Sequence, residues 1–417
     1  MSIKRAFFWT SAQTFTKVVS GIIIGKIVAI SLGPVGLAYI GQYQNYSGLF
    51  YSFANGSVQT GIVSMVARDL GEKNQMLTRT NSVFILSVLS FLIGLALFPL
   101  SDTVSYFLFK SYEYTGSIKL LSFSLLFNSM NLYALSVLNG LGKVKEYSVA
   151  NITLNVITTI GVSTSALLYG VIGALYSYSA IQIIFSLWLF YYVYNSTEYP
   201  ILKIESKSVN KKYIFDLLSY GVVTISSGFF TFFILAGSRY VIIDGMGEFS
   251  AGIWEGASKI GLYFGMLFTL PISIYYLPKF ASLTSSMELG IHFKKIFSLC
   301  LPSLALITLI MILSQKLTID ILFSQDFYEI KDILYLVLIA ECLRVLTSVF
   351  TTFLFARKIL VEIIFNQAVW SVSCVFLAYF LVDVYNLEGV AFAYLLACAL
   401  QFFLIIYSFK RKVSSVF

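Results

Sequence analysis

Histidine is almost absent from this chain: His292 is the only one among 417 residues, and it lies in a basic stretch, IHFKK. That scarcity removes histidine–cysteine metal clusters from consideration and leaves acyl-transfer chemistry with a single base, which reads better as an interfacial residue. Cysteine is also scarce. Cys300, Cys342, Cys374 and Cys398 all fall inside apolar runs, where a thiol behaves as a small hydrophobe rather than half of a disulfide. No GxxxxGK[ST] phosphate loop is present, which argues against ATP-driven work by this chain alone. Charge is thin too: Asp, Glu, Lys and Arg make up 12% of the residues, and no stretch has the composition of a soluble domain of useful size.

What fills the chain instead is apolar. Hydrophobic residues account for 58% and the mean hydropathy is +0.84, the signature of a polytopic membrane protein. The N-terminal MSIKRAFFWTSAQ meets polar residues too early for a signal-peptide core and reads as the start of the first span. Windows of about 20 apolar residues suffice to cross hydrocarbon. Twelve such windows can be drawn, the first at 6–31 and 36–66 and the last at 361–383 and 388–409. Because backbone groups in lipid must be satisfied within each segment, the expectation is an all-α polytopic membrane protein.

The net charge of +8 is scattered among short loops, which excludes a nucleic-acid face and carries topology instead. The ends of the windows on the side of both termini hold Lys4, Arg5, Arg68, Lys73, Arg79, Lys143, Lys145, Lys203, Lys207, Lys211, Lys212, Lys279, Lys294, Lys295, Arg357, Lys358, Lys410, Arg411 and Lys412. The opposite side holds only Lys110, Arg239, Lys316 and Lys331. Such a bias puts both termini in the cytoplasm. The longest cytoplasmic connection, 195–211, is polar and lysine-rich and divides the chain into six-helix lobes at 1–194 and 212–417. GKIVAISLGPVGLAYIGQY in the first half can be laid on GSRYVIIDGMGEFSAGIWEG in the second, pairing Lys26 with Arg239 and Gly36 with Gly252. Repeats of the same orientation imply two lobes related by a pseudo-two-fold axis along the membrane normal.

Polar side chains then recur at helical spacing. Gln42, Asn45, Ser52, Asn55 and Gln59 share a sector of the second window, Ser124, Asn128 and Asn131 of the fourth, and Asn151 and Asn155 of the fifth. Amide stripes can glue transmembrane helices together, or line a water-filled cavity; several long stripes favour the cavity. Lys17 and Lys26 lie nine residues apart in the first window, on opposite sides of an ideal helix. Glu255 and Lys259 stand at i, i+4, and Glu341 and Arg344 at i, i+3, spacings suited to intrahelical pairs or to cations and carboxylates with separate work. Pro271 and Pro278 are expected to bend or end the eighth helix.

At GKIVAISLGPVGLAYIGQYQNY, and again at GIWEGASKIGLYF followed by YLPKFASL, the chain resembles the Wzx family of O-antigen and polysaccharide-unit flippases, within the multidrug/oligosaccharidyl-lipid/polysaccharide exporter superfamily. The resemblance implies twelve helices in two lobes, no enzymatic activity, and transfer of an undecaprenyl-diphosphate-linked oligosaccharide between leaflets of the bacterial inner membrane. Its partners would be that lipid-linked unit, membrane lipids and other O-antigen assembly proteins. No cofactor is implied; a proton or sodium gradient or the membrane potential would supply the drive. Lys26, Arg239, Lys259, Arg344 and Lys17 form the cationic set for the diphosphate. Gln42, Asn45, Asn55, Gln59, Asn128, Asn131, Asn151 and Asn155 form the glycan path, and Glu255 and Glu341 are the coupling carboxylates. Related flippases carry an aspartate soon after the GIW segment, where this chain has Leu262, so Glu255 is the residue left to substitute. A cation-coupled multidrug exporter of the same superfamily is the alternative, expected to show more cavity carboxylates. A membrane enzyme of glycan assembly lacks a catalytic constellation.

Overall fold

The computed structural model describes residues 3–56, 58–68, 72–196, 210–283 and 285–416. Among them the secondary structure is helical, with no strand. Eleven α-helices follow in order: α1 (Ile3–Ala54), α2 (Gln59–Arg68), α3 (Glu72–Leu97), α4 (Ser101–Phe109), α5 (Thr115–Gly140), α6 (Val144–Ser196), α7 (Lys211–Ser282), α8 (Ser286–Leu313), α9 (Gln315–Leu322), α10 (Ile330–Ala356) and α11 (Leu360–Val416). Eight of these are long and apolar enough to cross a membrane.

Four of the eight are too long for one crossing. The apolar parts of α1, α6, α7 and α11 run to 47, 52, 58 and 54 residues; at about 1.5 Å per residue each spans more than twice the hydrocarbon thickness of about 30 Å. Each is broken at one residue with non-helical backbone angles: Gly33 (φ 65, ψ −167), Gly170 (φ 65, ψ −149), Gly247 (φ 84, ψ 177) and Asn386 (φ 51, ψ −135). Each break divides one long apolar helix into two arms joined without a loop.

Three of the four breaks share a sequence pattern as well as a geometry, the exception being Gly247, which is followed three residues on by Ser250. Gly33-Pro34-Val35-Gly36, Gly170-Val171-Ile172-Gly173 and Asn386-Leu387-Glu388-Gly389 each place a glycine three residues after the turning residue. At Gly173 a Cβ would lie 2.5 Å from the Ser165 carbonyl oxygen, and at Gly389 it would strike the Leu381 carbonyl. Only hydrogen fits where the returning helix passes that close. Gly33 precedes Gly247 by 214 positions and Gly170 precedes Asn386 by 216, close to the offset of the Lys26–Arg239 and Gly36–Gly252 pairing.

The chain forms two compact units: residues 1–32 with 39–228, and residues 33–38 with 229–417. Most of the expected linker, 197–209, lies outside the described residues. In the first unit α5 packs along α6, α3 and α2, burying Ile62, Val66, Leu86, Val137 and Phe185. Glycine allows the closest approaches, with Gly94 against the Ser122 carbonyl and Gly140 against Val66, as expected where packing rather than water exclusion holds helices together. In the second unit α10 packs along α11. Phe293 gathers Phe280, Phe350, Phe353 and Phe409 around it. The short segment 33–38 belongs here because Gly252 of α7 abuts the Pro34 carbonyl directly.

Two expectations need correction. The window at 36–66 is not one helix: α1 ends at Ala54 and α2 begins at Gln59, with Gly56 at φ 51 between them. Of the two outcomes expected at Pro271 and Pro278, a bend or an end, the end does not occur, since α7 continues to Ser282 with Gly247 as its one non-helical residue. A proline costs its own amide bond, but the neighbouring turns still close around it.

A buried cation–carboxylate cluster as the candidate functional site

The charges inside the second unit gather into two clusters. In the first, the i, i+4 spacing of Glu255 and Lys259 sets Nζ 3.6 Å from Oε1. The other carboxylate oxygen, Oε2, is ion-paired with Nη2 of Arg239, sixteen residues earlier and on the far side of the Gly247 break. The hairpin turn at Gly247 therefore converts a local pair into a triad with two cations and one anion. Arg239 is 2% exposed and Glu255 8%. Removing a charge from water to such a site costs several kcal/mol unless the partners are complete, and here they are not: Nε and Nη1 of Arg239 are buried without a hydrogen-bond partner. The cluster is one negative charge short.

The second cluster is closed. Oε1 of Glu341 accepts from Arg344 Nη1 at 3.0 Å and from the Tyr394 hydroxyl at 2.6 Å, and Arg344 Nη1 also donates to that hydroxyl at 3.1 Å. The Arg344 guanidinium lies 4.8 Å from the centroid of the Trp370 ring, a cation–π contact, and Trp254 meets Tyr394 edge to face at 6.0 Å. Two glycines of α7 make the space: a Cβ on Gly265 would sit 2.9 Å from Glu341 Oε2, and one on Gly261 3.1 Å from its Cγ. Arg344 and Glu341 neutralise each other, so this cluster holds α7, α10 and α11 together more readily than it receives an anion.

The first unit carries the amide stripes, and many of their groups bond one another. Asn55 Nδ2 donates to Asn128 Oδ1 at 3.1 Å and Asn55 Oδ1 accepts from Ser129 at 2.7 Å. Asn128 Nδ2 donates to Gln182 Oε1 at 3.2 Å, and Asn131 Nδ2 to the Gln182 carbonyl at 3.0 Å. Gln42 Nε2 donates to the Leu108 carbonyl at 2.7 Å, and Asn151 bonds back within α6 to Tyr147. These contacts are interhelical glue of the kind amides supply in membranes. Unused capacity remains at Gln42 Oε1, Asn45 Nδ2 and Asn131 Oδ1, all buried without partners. Asn155 is half-buried, with its carbonyl accepting from Ser20 at 3.4 Å. Gln59 is exposed in α2, apart from the α1 stripe. Lys17 is exposed and Lys26 half-buried, as their opposite faces require.

Sequence spacing found both intrahelical pairs, but not Arg239 on Glu255, nor Tyr394, Trp370 and Trp254 around Arg344. The pairing of Lys26 with Arg239 marked Arg239 as a functional cation; nothing in it named the partner. No groups of three or more metal-binding side chains occur among the described residues.

Known proteins fit this picture. The chain is 22% identical over 359 residues to the lipid III flippase of Escherichia coli (strain K12), covering 84% of each chain, and equally to that of Shigella flexneri. Among solved structures it matches an inward-facing multidrug resistance MATE family transporter of the MOP superfamily at a TM-score of 0.76, with 16% identity and coverage of 96% and 95%. It matches lipid II flippase MurJ in an inward closed conformation at 0.75, with 16% identity and coverage of 96% and 87%. A MOP superfamily transporter from Pyrococcus furiosus, described by the reverse polarity of its binding pocket, gives 0.72 at 14% identity and coverage of 97% and 93%. These likenesses establish the two-lobed all-helical fold of that superfamily in a multi-pass membrane protein. Residues 45–332, more than half of the chain, match the model of the polysaccharide biosynthesis protein family, and the chain belongs to that family.

Proposed function

We propose that the protein is a flippase for a lipid-linked oligosaccharide, of the Wzx type, moving an undecaprenyl-diphosphate-linked O-antigen unit from the cytoplasmic to the periplasmic leaflet. It is a transporter and not an enzyme, as its flippase and exporter relatives are. The observation that carries the substrate is the incomplete triad. An apolar helix bundle that buries Arg239 and half-buries Lys259 around a single carboxylate is built to meet an anion, and lysine and arginine are the side chains that pair with phosphoryl oxygens. A diphosphate bearing hydroxyl-rich sugars cannot cross hydrocarbon unaided. The cations take its charge and the spare capacity of Gln42, Asn45 and Asn131 takes hydroxyl groups, while the polyprenyl tail stays in lipid.

In this reading the chain crosses the inner membrane twelve times with both termini in the cytoplasm, and Lys17 and Lys26 are cations of the first unit. No cofactor takes part. The inside-negative potential favours outward movement of an anion by about 2.3 kcal/mol per charge per 100 mV, and a proton or sodium gradient acting through Glu255 or Glu341 is the other source of drive. Membrane lipids and other O-antigen assembly proteins are its partners.

The second reading is a cation-coupled multidrug exporter, supported by the likeness to multidrug transporters. Against it, both buried carboxylates of the second unit are already engaged by cations. The leaflet distribution of the lipid-linked oligosaccharide in cells with and without the gene separates the two. Accumulation on the cytoplasmic side, relieved by restoring the gene, supports the flippase; an unchanged distribution with drug sensitivity altered supports the exporter.

A further inference from the structure

We propose that Glu255 is a resident stand-in for a phosphoryl oxygen, and that Arg239 and Lys259 form an oxyanion site which takes a phosphoryl group by exchange with this carboxylate. The inference rests on the flippase reading and adds how the site is kept closed and what opens it.

A guanidinium has five N–H donors in a rigid fork. In Arg239 only Nη2 is used, on Glu255 Oε2, while the Nε hydrogen and both Nη1 hydrogens are buried and unanswered. Idle donors on a buried cation are costly, so the arrangement persists only as one end of an exchange. Lys259 is held more loosely, with Nζ at 3.6 Å from Oε1, outside ordinary hydrogen-bond range. One carboxylate thus bridges two cations by one short contact and one long one. A phosphoryl group brings three oxygens and at least one full charge, enough to satisfy the free edges of Arg239 and close on Lys259 together. Once Glu255 is displaced, Arg239 and Lys259 present two positive charges, which the two negative charges of a diphosphate match. Glu255 leaves as the phosphoryl group arrives, and returns when it goes, so the cations are never left bare in hydrocarbon. Trp254, the neighbour of Glu255 in sequence, packs on Tyr394 of the closed cluster, which fixes this turn of α7 while the Glu255 side chain swings.

The test uses the purified full-length protein in phosphatidylcholine nanodiscs, with inorganic pyrophosphate as the probe and calorimetric titration as the readout. Glu255→Gln is expected to bind pyrophosphate about tenfold more tightly than the wild type or better, because the competitor is gone. Glu255→Asp, which keeps the charge but draws the carboxylate back by one methylene, is expected to fall between them and decides the matter if the Gln variant does not fold. Lys259→Met, which leaves a balanced Arg239–Glu255 pair, is expected to lose binding. Equal affinity in the wild type and in whichever Glu255 variants fold, or undiminished affinity in Lys259→Met, overturns the exchange. If the gain at Glu255 vanishes in discs containing phosphatidylglycerol, bilayer headgroups fill the site and its assignment to the transported diphosphate is overturned. The outcome is independent of transport: tighter pyrophosphate binding beside an unchanged leaflet distribution would sink the flippase reading and leave the oxyanion site standing. Proven flipping with no gain at Glu255 would do the reverse.

Discussion

Arg344 and Tyr394 illustrate how a buried charge is made structural. Two donors converge on one oxygen of Glu341, and an aromatic face covers the guanidinium. Replacing Tyr394 by Phe removes the bond its hydroxyl donates to Glu341 and the one it accepts from Arg344 but leaves the ion pair, so the expected loss is about 1.5–3 kcal/mol. Glu341→Gln leaves Arg344 without its anion; a fully buried pair broken this way costs about 3–5 kcal/mol, and because the Arg344 side chain is 36% exposed the loss falls at the lower end, about 3 kcal/mol. Unfolding of the detergent-solubilised protein should therefore rank wild type above Tyr394→Phe above Glu341→Gln. The opposite order of the two variants would mean that the hydroxyl, not the ion pair, carries the cluster. The i, i+3 and i, i+4 spacings of these residues were legible in the sequence because a helix alone brings them together. Arg239 on Glu255, and Tyr394 on Glu341, were not, because those contacts are made by a hairpin at Gly247 and by packing of α11 on α10, and no local period records either.

At the scale of elements, the joints are what the chain repeats. Three of the four turning residues are glycine and the fourth is Asn386, which is exposed and sits at φ 51, ψ −135. That region is strained for any residue with a Cβ, at about 1–3 kcal/mol. Asn386→Gly is expected to raise the thermal midpoint and Asn386→Val to lower it, while Gly389→Ala, three residues on, is expected to prevent folding because its methyl would meet the backbone carbonyl of Leu381. A neutral Gly389→Ala would show that the helix after the joint does not return as closely as described. The all-helical, membrane-spanning character was readable because hydropathy reports directly on lipid solvation, and eight helices are long and apolar enough to cross. Even the narrowest divisions, around Gly142 and Gly170, are built on glycines at positive φ. What hydropathy could not report was continuity: a single residue at positive φ, Gly170 in α6 and Asn386 in α11, can turn the chain without an intervening loop, so both helices run through residues that a polar loop would otherwise mark. It also could not report the break near Gly56 that separates Gln59 from the amides of α1.

At the scale of the molecule, the two units use their polar residues differently. The first satisfies neutral amides and hydroxyls against one another, as in the Asn55–Asn128–Gln182 chain, and a buried cation there, Arg79, donates to the Gln75 amide. The second buries ions, one cluster balanced and one short of an anion. If the proposed flippase function holds, the unbalanced cluster is the one that receives the headgroup's charge. The most direct test is transfer of an undecaprenyl-diphosphate-linked oligosaccharide across proteoliposomes holding the purified protein, followed with a membrane-impermeant glycan probe. Wild-type protein should move the lipid and Arg239→Gln, which leaves Lys259 and Glu255 as a balanced pair, should slow transfer by about tenfold or more at equal protein incorporation. Equal rates in the two would contradict the account.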